Sequence, residues 1–360
     1  MSGLQEGLPV LTGESDARRL LRSRPAVIAA WVIGWGLVTI VVPAIIPDTY
    51  YMRLVTLGAI WAIDALALNF VLGYAGFVNL GQSAFMATGA YVTAVLGMTE
   101  HWNPWVSLLA GIVAGGAAGV LVALPAARLG GHYFALVTLA AGEVVQAVAG
   151  NWTSVTGGGD GISGIPVLSL GSYAFGDPYT FFYLAAVALA VVALISVGIR
   201  HSYLGRSLLA IKDDEPAAKA RGVPTTSRKL IAFTCCGAVA GLSGGLYASF
   251  NGFIDPSSFT VTQNSILVLS MVLLGGAAST YGVIVAAVAL TLLPEYLRFL
   301  GDSYLIVYGL LIIVVILFLR GGLVSIPARA RDGITGLRQS RAPLPAATSS
   351  ARAEVNDGVR

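Results

Sequence analysis

The sequence predicts an all-α polytopic membrane protein with about ten transmembrane helices and both termini in the cytoplasm. Of its 360 residues, 56% are hydrophobic and only 11% are charged, whereas soluble domains carry about 25% charged residues. The mean hydropathy is +0.80. Many of the apolar runs are long enough to cross a hydrocarbon core of about 30 Å as helices. This composition excludes an ordinary cytosolic enzyme, a nucleic-acid-binding protein and a disulfide-stabilised secreted domain.

Ten apolar runs are bounded by charges, prolines and glycines. They lie at about 26–46, 54–72, 74–98, 105–124, 133–150, 179–199, 230–250, 264–277, 281–295 and 303–319. The eighth and ninth are short and are separated by a glycine-rich stretch, so eight spans with two re-entrant hairpins fit nearly as well as ten. We therefore expect a membrane domain over residues 26–320, a cytoplasmic segment over 1–25, and a disordered cytoplasmic tail over 321–360, which has little apolar periodicity.

The distribution of basic residues predicts the orientation. With ten spans and an internal amino terminus, 19 of the 21 Lys and Arg residues lie inside, and only Arg53 and Arg298 lie outside. Lys and Arg are enriched in cytoplasmic loops. A shift by one span would destroy this sorting, which favours an even number of spans.

Polar side chains within the apolar runs are candidates for a translocation path. Ionisable groups at membrane depth usually face a bundle interior or an aqueous route, although hydrogen bonding between helices is an equally reasonable explanation. A glycine-broken stretch, Gly73–Gly76, is flanked by amide side chains, and unwound backbone is tolerated in a membrane only when it is enclosed or lines a cavity. The path candidates are Asp64, Asn69, Tyr74, Asn79, Gln82, Glu143 and Gln146.

The longest predicted outer loop contains a glycine cluster, made of Gly157, Gly158, Gly159, Asp160 and Gly161. It is not a nucleotide-binding loop, because such a loop requires Gly-Lys-Ser/Thr and no Lys follows a Gly in this chain. Two interpretations remain open, a flexible loop and an outer gating or docking surface.

No catalytic or metal-binding constellation emerges from the sequence. The three histidines, His101, His132 and His201, lack metal-ligand spacing. The two cysteines, Cys235 and Cys236, are neighbours in an apolar run and are interpreted as buried small side chains. We therefore expect no enzymatic activity, no metal and no cofactor in this chain.

The cytoplasmic loop 200–229 contains the signature of a short helix. Asp214 can cap its amino end, Pro216 fits the first turn, Lys219 and Arg221 suit the carboxyl end, and Gly222 can stop it. An ordered surface loop is at least as good an interpretation as a docking element for a cytoplasmic partner.

Several of these segments together resemble one family, the permeases of branched-chain amino acid ABC transporters, and most closely the longer permease of the pair. The matching segments run in order through residues 50–325 and are Gly73–Phe85, Tyr133–Glu143, Thr156–Ile162, Gly205–Gly222, Leu274–Gly276 with Gly282, Leu293–Glu295, Tyr308–Gly309 and Phe318–Arg320. The chain departs from the family at Gly321, where a proline often follows the final arginine.

The resemblance implies an importer subunit in the cytoplasmic membrane of a prokaryote. A second homologous permease would complete the path, two cytoplasmic ATPases would bind ATP and Mg, and an extracytoplasmic binding protein would deliver the substrate. The resemblance also implies an ATPase-coupling loop, made of Gly205, Arg206, Asp213, Asp214, Glu215, Ala218, Arg221 and Gly222.

Three alternatives remain. A similar ABC permease for urea or short-chain amides differs little in sequence, because the binding protein largely sets specificity. An ion-coupled secondary transporter using Asp64 and Glu143, and a membrane scaffold without transport activity, fit the resemblance less well.

Overall fold

The structure is a computed structural model that describes residues 34–37, 39–100, 102–126, 132–171 and 173–318. The predicted segments 1–25 and 321–360 lie outside these residues, as does the first part of the first predicted span.

Helices form most of the described chain. They are α1 (Gly34–Ile45), α2 (Thr49–Asn69), α3 (Gln82–Met98), α4 (Pro104–Ala126), α5 (His132–Asn151), α6 (Thr153–Thr156), α7 (Pro178–His201), α8 (Tyr203–Asp213), α9 (Glu215–Ala220), α10 (Thr225–Asn251), α11 (Ile266–Gly275), α12 (Thr280–Leu297) and α13 (Tyr304–Phe318). Single π-helical turns, Phe70–Tyr74 and Val261–Ser265, extend α2 and precede α11.

Six of these helices are long and apolar enough to cross a membrane, namely Thr49–Tyr74, Pro104–Pro125, Tyr133–Asn151, Pro178–His201, Thr225–Asn251 and Thr280–Leu297. They coincide with six of the predicted spans, and shorter apolar helices lie at Gly34–Ile45 and Val261–Gly275. The chain is therefore a polytopic membrane protein. The total of ten spans and the position of the termini stay predictions.

The third predicted span begins later than the sequence pattern indicates. The run from about 74 is continuous in hydropathy, but α3 starts at Gln82, and residues 76–81 are not helical. The reason lies in the glycines. Gly76 adopts a φ of +77°, which right-handed helices do not use, and Gly81 lies directly against the Thr138 carbonyl.

Two ends of the bundle can be distinguished by their connections. At one end, called here the sheet end, β1 (Ile162–Ser163) pairs antiparallel with β4 (Phe253–Ile254), and a small hairpin joins β2 (Ser169–Leu170) to β3 (Tyr173–Ala174). At the other, called the α9 end, α8 and α9 connect α7 to α10. Side-chain caps start the helices that enter from the sheet end, for example Asp48 on α2 and Asp177 on α7.

Glycines allow the backbones of α3, α4 and α10 to pack in direct contact. A Cβ on Gly241 would lie 2.5 Å from the Gly111 carbonyl oxygen, and Gly89 and Gly115 contact the Gly241 backbone. Close backbone approach through small residues is the usual basis of helix association in lipid. α2 is the most enclosed of the six long helices, with 83% of its most apolar stretch buried, whereas the figure for α5 is only 22%.

Candidate functional site

The break between α2 and α3 doubles back along α2. The π-helical turn that extends α2 ends at Tyr74. Gln82, at the start of α3, nevertheless contacts Asp64, which lies ten residues before Tyr74 in the chain. At 1.5 Å per helical residue, Asp64 lies about 15 Å along the α2 axis from Tyr74. Residues 75–81, called here the α2–α3 break, therefore run back alongside α2 to the level of Asp64. As a result, α3 begins deep inside the bundle instead of at its end.

A buried polar cluster forms where α3 begins. The Gln82 side-chain amide donates to Asp64 Oδ1 at 2.7 Å, and Gln82 Oε1 accepts from Asn79 Nδ2 at 3.2 Å and from Cys236 Sγ at 3.3 Å. Asn79 Oδ1 also accepts from the Gly81 backbone at 3.0 Å. All four side chains are fully buried. The cluster joins α2, the break, α3 and α10, and in this conformation no solute can reach it.

One oxygen of this cluster is unusual. Asp64 Oδ2 has no hydrogen-bond partner among the described residues, although it is buried. A buried charge without compensation is very unfavourable. The structure brings together three of the predicted path residues, Asp64, Asn79 and Gln82. In this conformation their hydrogen bonds join one segment of the bundle to another.

The other two path candidates near the break belong to a second contact, closer to the α9 end. Asn69 Oδ1 accepts from the backbone of Ala278 at 2.9 Å, and Ala278 belongs to residues 276–279, the α11–α12 break. The Tyr74 hydroxyl lies 2.9 Å from Ser196 Oγ, which lies 3.1 Å from Thr280 Oγ1. Asn69 and Tyr74, at the end of α2 and of its π-helical turn, therefore join this part of the chain to the α11–α12 break and, through Ser196, to the start of α12.

The remaining path candidates lie on α5. Its packed face carries Thr138 and Gly142, and Thr138 Oγ1 accepts from the backbone of Leu80 in the break. Glu143 is exposed and points away from this face, and Gln146 is half-buried. Other exposed residues share the outward face with Glu143, namely Tyr133, Leu136, Ala140, Val144, Ala147 and Asn151. A carboxylate is thus presented by the middle of an apolar helix on an uncovered surface.

The predicted short helix of the 200–229 loop is confirmed as α9. Asp214 Oδ1 accepts from the Ala217 backbone at 3.0 Å, and Gly222 has the left-handed φ of +81° expected of a helix stop. Arg221 and Asp213 are exposed, while Ala218 is buried and seats the helix. In the preceding helix, Gly205 is buried against the carbonyl oxygens of Ile199 and Arg200, and Arg206 Nη1 donates to the His201 carbonyl at 2.9 Å.

Basic side chains fasten α8 and α9 to the membrane helices. Lys229 Nζ lies 2.6 Å from Glu215 Oε1 and 4.6 Å from the centre of the Phe77 ring, although only 3% of the Lys229 side chain is exposed. Lys212 Nζ donates to the Gly73 carbonyl at 3.0 Å. Cations are favourable near helix carboxyl ends, and Gly73 lies in the last turn of the extended α2.

The glycine cluster, which the sequence assigns to an outer loop, forms ordered turns at the sheet end. Gly157 and Gly158 have φ values of +74° and +61°, and the 3₁₀ turn Gly158–Asp160 follows α6. Gly159 and Asp160 are exposed. The Thr156 hydroxyl ties this turn to the carbonyl of Ala149 at 2.6 Å.

The neighbouring segment at the sheet end is organised by Asp255. Burial favours the neutral form of its carboxyl, but hydroxyl hydrogen bonds from Ser257 and Ser258, with one from the Ser258 backbone, hold the pKa of Asp255 below its usual value. Because β4 pairs with β1, this turn and the glycine cluster form one surface.

Several residues of these contacts could not be found from the sequence. Lys212, Lys229, Phe77 and Ser196 carry no pattern, because their partners are distant in the chain or are backbone atoms. Cys236 is buried, as expected, and additionally donates to Gln82. Within the described part of the chain, no group of three or more His, Cys, Asp or Glu side chains could hold a metal ion.

Comparisons with known proteins identify the class. The family described as the permease component of branched-chain amino acid transport systems matches residues 50–317. The chain is 35% identical to the high-affinity branched-chain amino acid transport system permease protein LivM of Salmonella typhimurium, over 88% of this chain and 77% of that protein.

Two further relatives agree. LivM of Escherichia coli is 36% identical over 72% of this chain and 67% of that protein. The high-affinity branched-chain amino acid transport system permease protein LivH of Escherichia coli is 25% identical over 76% of this chain and 94% of that protein. No solved structure matches the chain.

The fold and the match together define a membrane transport permease of the ABC importer type. The chain belongs to the family of permease components of branched-chain amino acid transport systems, and it resembles LivM.

Proposed function

We propose that this chain is one of two homologous permease subunits of an importer that carries branched-chain amino acids across the cytoplasmic membrane of a prokaryote. The observation that carries the proposal is the 35% identity with a LivM permease over 88% of the chain. Two cytoplasmic ATPases would supply the energy, and an extracytoplasmic binding protein would supply the substrate. The chain itself would then hold no ATP, Mg or other cofactor.

The orientation follows from charge. The α9 end carries Arg200, Arg206, Lys212, Lys219, Arg221, Arg228 and Lys229, and we therefore assign it to the cytoplasm. The sheet end would face the binding protein. Its exposed turn at Gly159 and Asp160, supported by the β1–β4 pair, is the proposed docking and gating surface.

The translocation path is proposed to run beside the outward face of α5. A charge in contact with lipid is unfavourable, so Glu143 in the middle of a spanning helix requires a protein or aqueous surface. A second permease with a similar helix would cover this face and enclose a route between the two subunits. Gln146 lies at the edge of the same face. Asp64, Asn79 and Gln82 would then set the geometry of the path without touching the substrate in this conformation.

The ATPases are proposed to bind α9. Exposed charges flank this helix, Asp213 at the end of α8 and Arg221 directly after α9, whereas Ala218 of α9 is buried against the bundle. A short, rigidly capped helix of this kind is suited to a groove on a partner, where it converts movement of the partner into movement of the permease.

The deciding experiment reconstitutes the chain in proteoliposomes with the second permease, the ATPases and the binding protein. We expect ATP-dependent uptake of leucine that isoleucine and valine compete for and urea does not. Competition by urea or short-chain amides without competition by leucine would assign the alternative substrate class. Ion-driven uptake by the chain alone would identify a secondary transporter and contradict the proposal.

A further inference from the structure

The α2–α3 break is held by the two helices that lie at the cytoplasmic end. α8 contacts it through Lys212, whose ammonium binds the Gly73 carbonyl just before the break. α9 contacts it through Glu215, whose carboxylate binds Lys229, whose ammonium in turn lies over the Phe77 ring inside the break. Each helix therefore has its own lysine-mediated link, one directly before the break and one inside it.

The side chains of both links pack tightly against the break. Gly76 has a φ of +77°, and a Cβ there would lie 2.7 Å from Lys212 Cγ, so the backbone of the break rests directly on the lysine stem. Phe77 is fixed on its other side by Phe134 of α5, with ring centres 5.0 Å apart. A movement of α8 relative to the bundle therefore displaces the break or breaks these contacts.

The Lys229–Glu215 pair is built to move as a unit. Lys229 is almost completely buried, so separation from Glu215 would leave its charge without a carboxylate in an apolar site. The Glu215 side chain is 36% exposed, but Lys229 has no route to water, so loss of its carboxylate partner is far less favourable than a shift of both groups together. Displacement of α9 is thus passed on to Lys229 and to the ring of Phe77.

The break is also connected to the buried polar cluster at the start of α3. Two residues after Phe77, Asn79 bonds to Gln82, and Gln82 bonds to Asp64 in the middle of α2. Residues 76–81 are non-helical and lack the continuous backbone hydrogen bonds of the helices on either side, so this segment yields more easily than those helices. A displacement at Phe77 would therefore change how the amino end of α3 is seated, about half-way through the bundle.

We propose that Lys229 and Lys212 are positioning residues that transmit movement of α9 and α8 to the α2–α3 break and so to the start of α3. The proposal rests on the proposed function, because the movement itself would come from ATPases bound at α9. The lysines do not touch the substrate or the nucleotide.

The first measurement does not depend on transport. Hydrogen exchange of the full chain in lipid nanodiscs would compare wild type with Lys229→Met and Lys212→Met, which keep side-chain bulk and remove the charge. We expect the amides of residues 75–81 to exchange at least tenfold faster in both variants. Lys219→Met removes a lysine from the exposed face of α9 and is the matched control, with unchanged exchange in the break.

The second measurement uses the complete importer and reports amino acid taken up per ATP hydrolysed. We expect Lys229→Met to lower this ratio at least tenfold while the ATPases still assemble and hydrolyse ATP. Arg298→Met removes an exposed basic side chain at the sheet end, away from α9, and should leave the ratio within twofold. Phe77→Leu keeps the ion pair and removes only the ring. It should lower the ratio as well, and it carries the test if Lys229→Met does not assemble.

The two measurements test the linkage to the break and the transmission of movement separately. Faster exchange in the break with an unchanged uptake ratio would show that the lysines only stabilise the fold, and would overturn transmission. An unchanged exchange rate would overturn the linkage itself. If the wild-type importer takes up no branched-chain amino acid, the proposed function fails while the exchange result still decides the linkage.

Discussion

The Gln82 side-chain amide donates a 2.7 Å hydrogen bond to the Asp64 carboxylate, and this bond ties the first residue of α3 to the middle of α2. Both side chains are fully buried and closed to solvent in this conformation. The bond therefore sets the depth at which α3 begins and the path that residues 75–81 must follow.

Removal of the Asp64 side chain should destabilise the protein. In Asp64→Ala, Gln82 Nε2 keeps only a 3.4 Å contact with the Asp64 backbone carbonyl, and a buried donor without a good acceptor costs about 1–3 kcal/mol. Asp64→Asn retains an acceptor and should lower stability much less. Thermal unfolding of the purified chain in detergent checks this, and equal losses for the two variants would contradict a role as a hydrogen-bond acceptor.

The glycine contacts between α3, α4 and α10 lead to a second prediction. Gly241→Ala places a methyl group against the Gly111 carbonyl, and overpacking of this kind costs about 1–3 kcal/mol. Gly150→Ala is the matched control, because no atom lies within 4 Å of its Cβ position, and alanine favours the helix by about 0.5–1 kcal/mol. The unfolding midpoint should fall for the first variant and hold or rise for the second; the opposite order would mean that the three helices do not pack as described.

The sequence predicts the helices well but not the course of the chain between them. Hydropathy located the six long spans because burial in lipid requires continuous apolar runs. Capping residues located α9, since Asp214, Pro216 and Gly222 act within a few residues of one another. Contacts between distant segments, such as Lys229 with Phe77, leave no local pattern.

The same distinction applies to the candidate site. The sequence singled out Asp64 and Gln82 as polar residues at membrane depth, but only the doubling back of residues 75–81 shows that they bond to each other. For Glu143 the sequence could not indicate the direction, because Leu136 and Val144 on its exposed face are as apolar as the buried residues of α5. In a membrane, hydrophobicity no longer separates the inside of a bundle from its surface.

Glu143→Gln should impair transport. The carboxylate lies at the centre of the uncovered α5 face, where the proposed path and second permease meet it, and the amide removes its charge with little change in shape. We expect leucine uptake by the complete importer to fall at least fivefold at unchanged expression. Glu100→Gln removes an exposed acid at the sheet end and should have no effect. Normal uptake by the Glu143 variant would remove this residue from the path.

Acid should loosen the turn at Asp255. Because the pKa of this carboxyl is lowered in the folded chain, its ionised form stabilises the turn above its ordinary pKa of about 3.9, and that contribution is lost as the pH falls through the lower, folded value. Hydrogen exchange of residues 253–259 should thus accelerate below about pH 4 beyond the intrinsic change. Asp255→Asn should exchange faster at neutral pH and lose this extra acid dependence; retention of the dependence would assign it to another group.

A charge reversal on α9 should separate docking from transmission. Arg221 is exposed at the carboxyl end of α9, so Arg221→Glu changes the charge of the surface offered to an ATPase. We expect at least a fivefold loss of ATPase co-purifying with the permease, whereas Lys229→Met retains the ATPase and loses coupling. Arg298→Glu, at the sheet end, is the control and should retain both. If Arg221→Glu binds the ATPases and transports normally, the ATPases do not engage this end of α9, and the force on the α2–α3 break must enter through α8 and Lys212 alone.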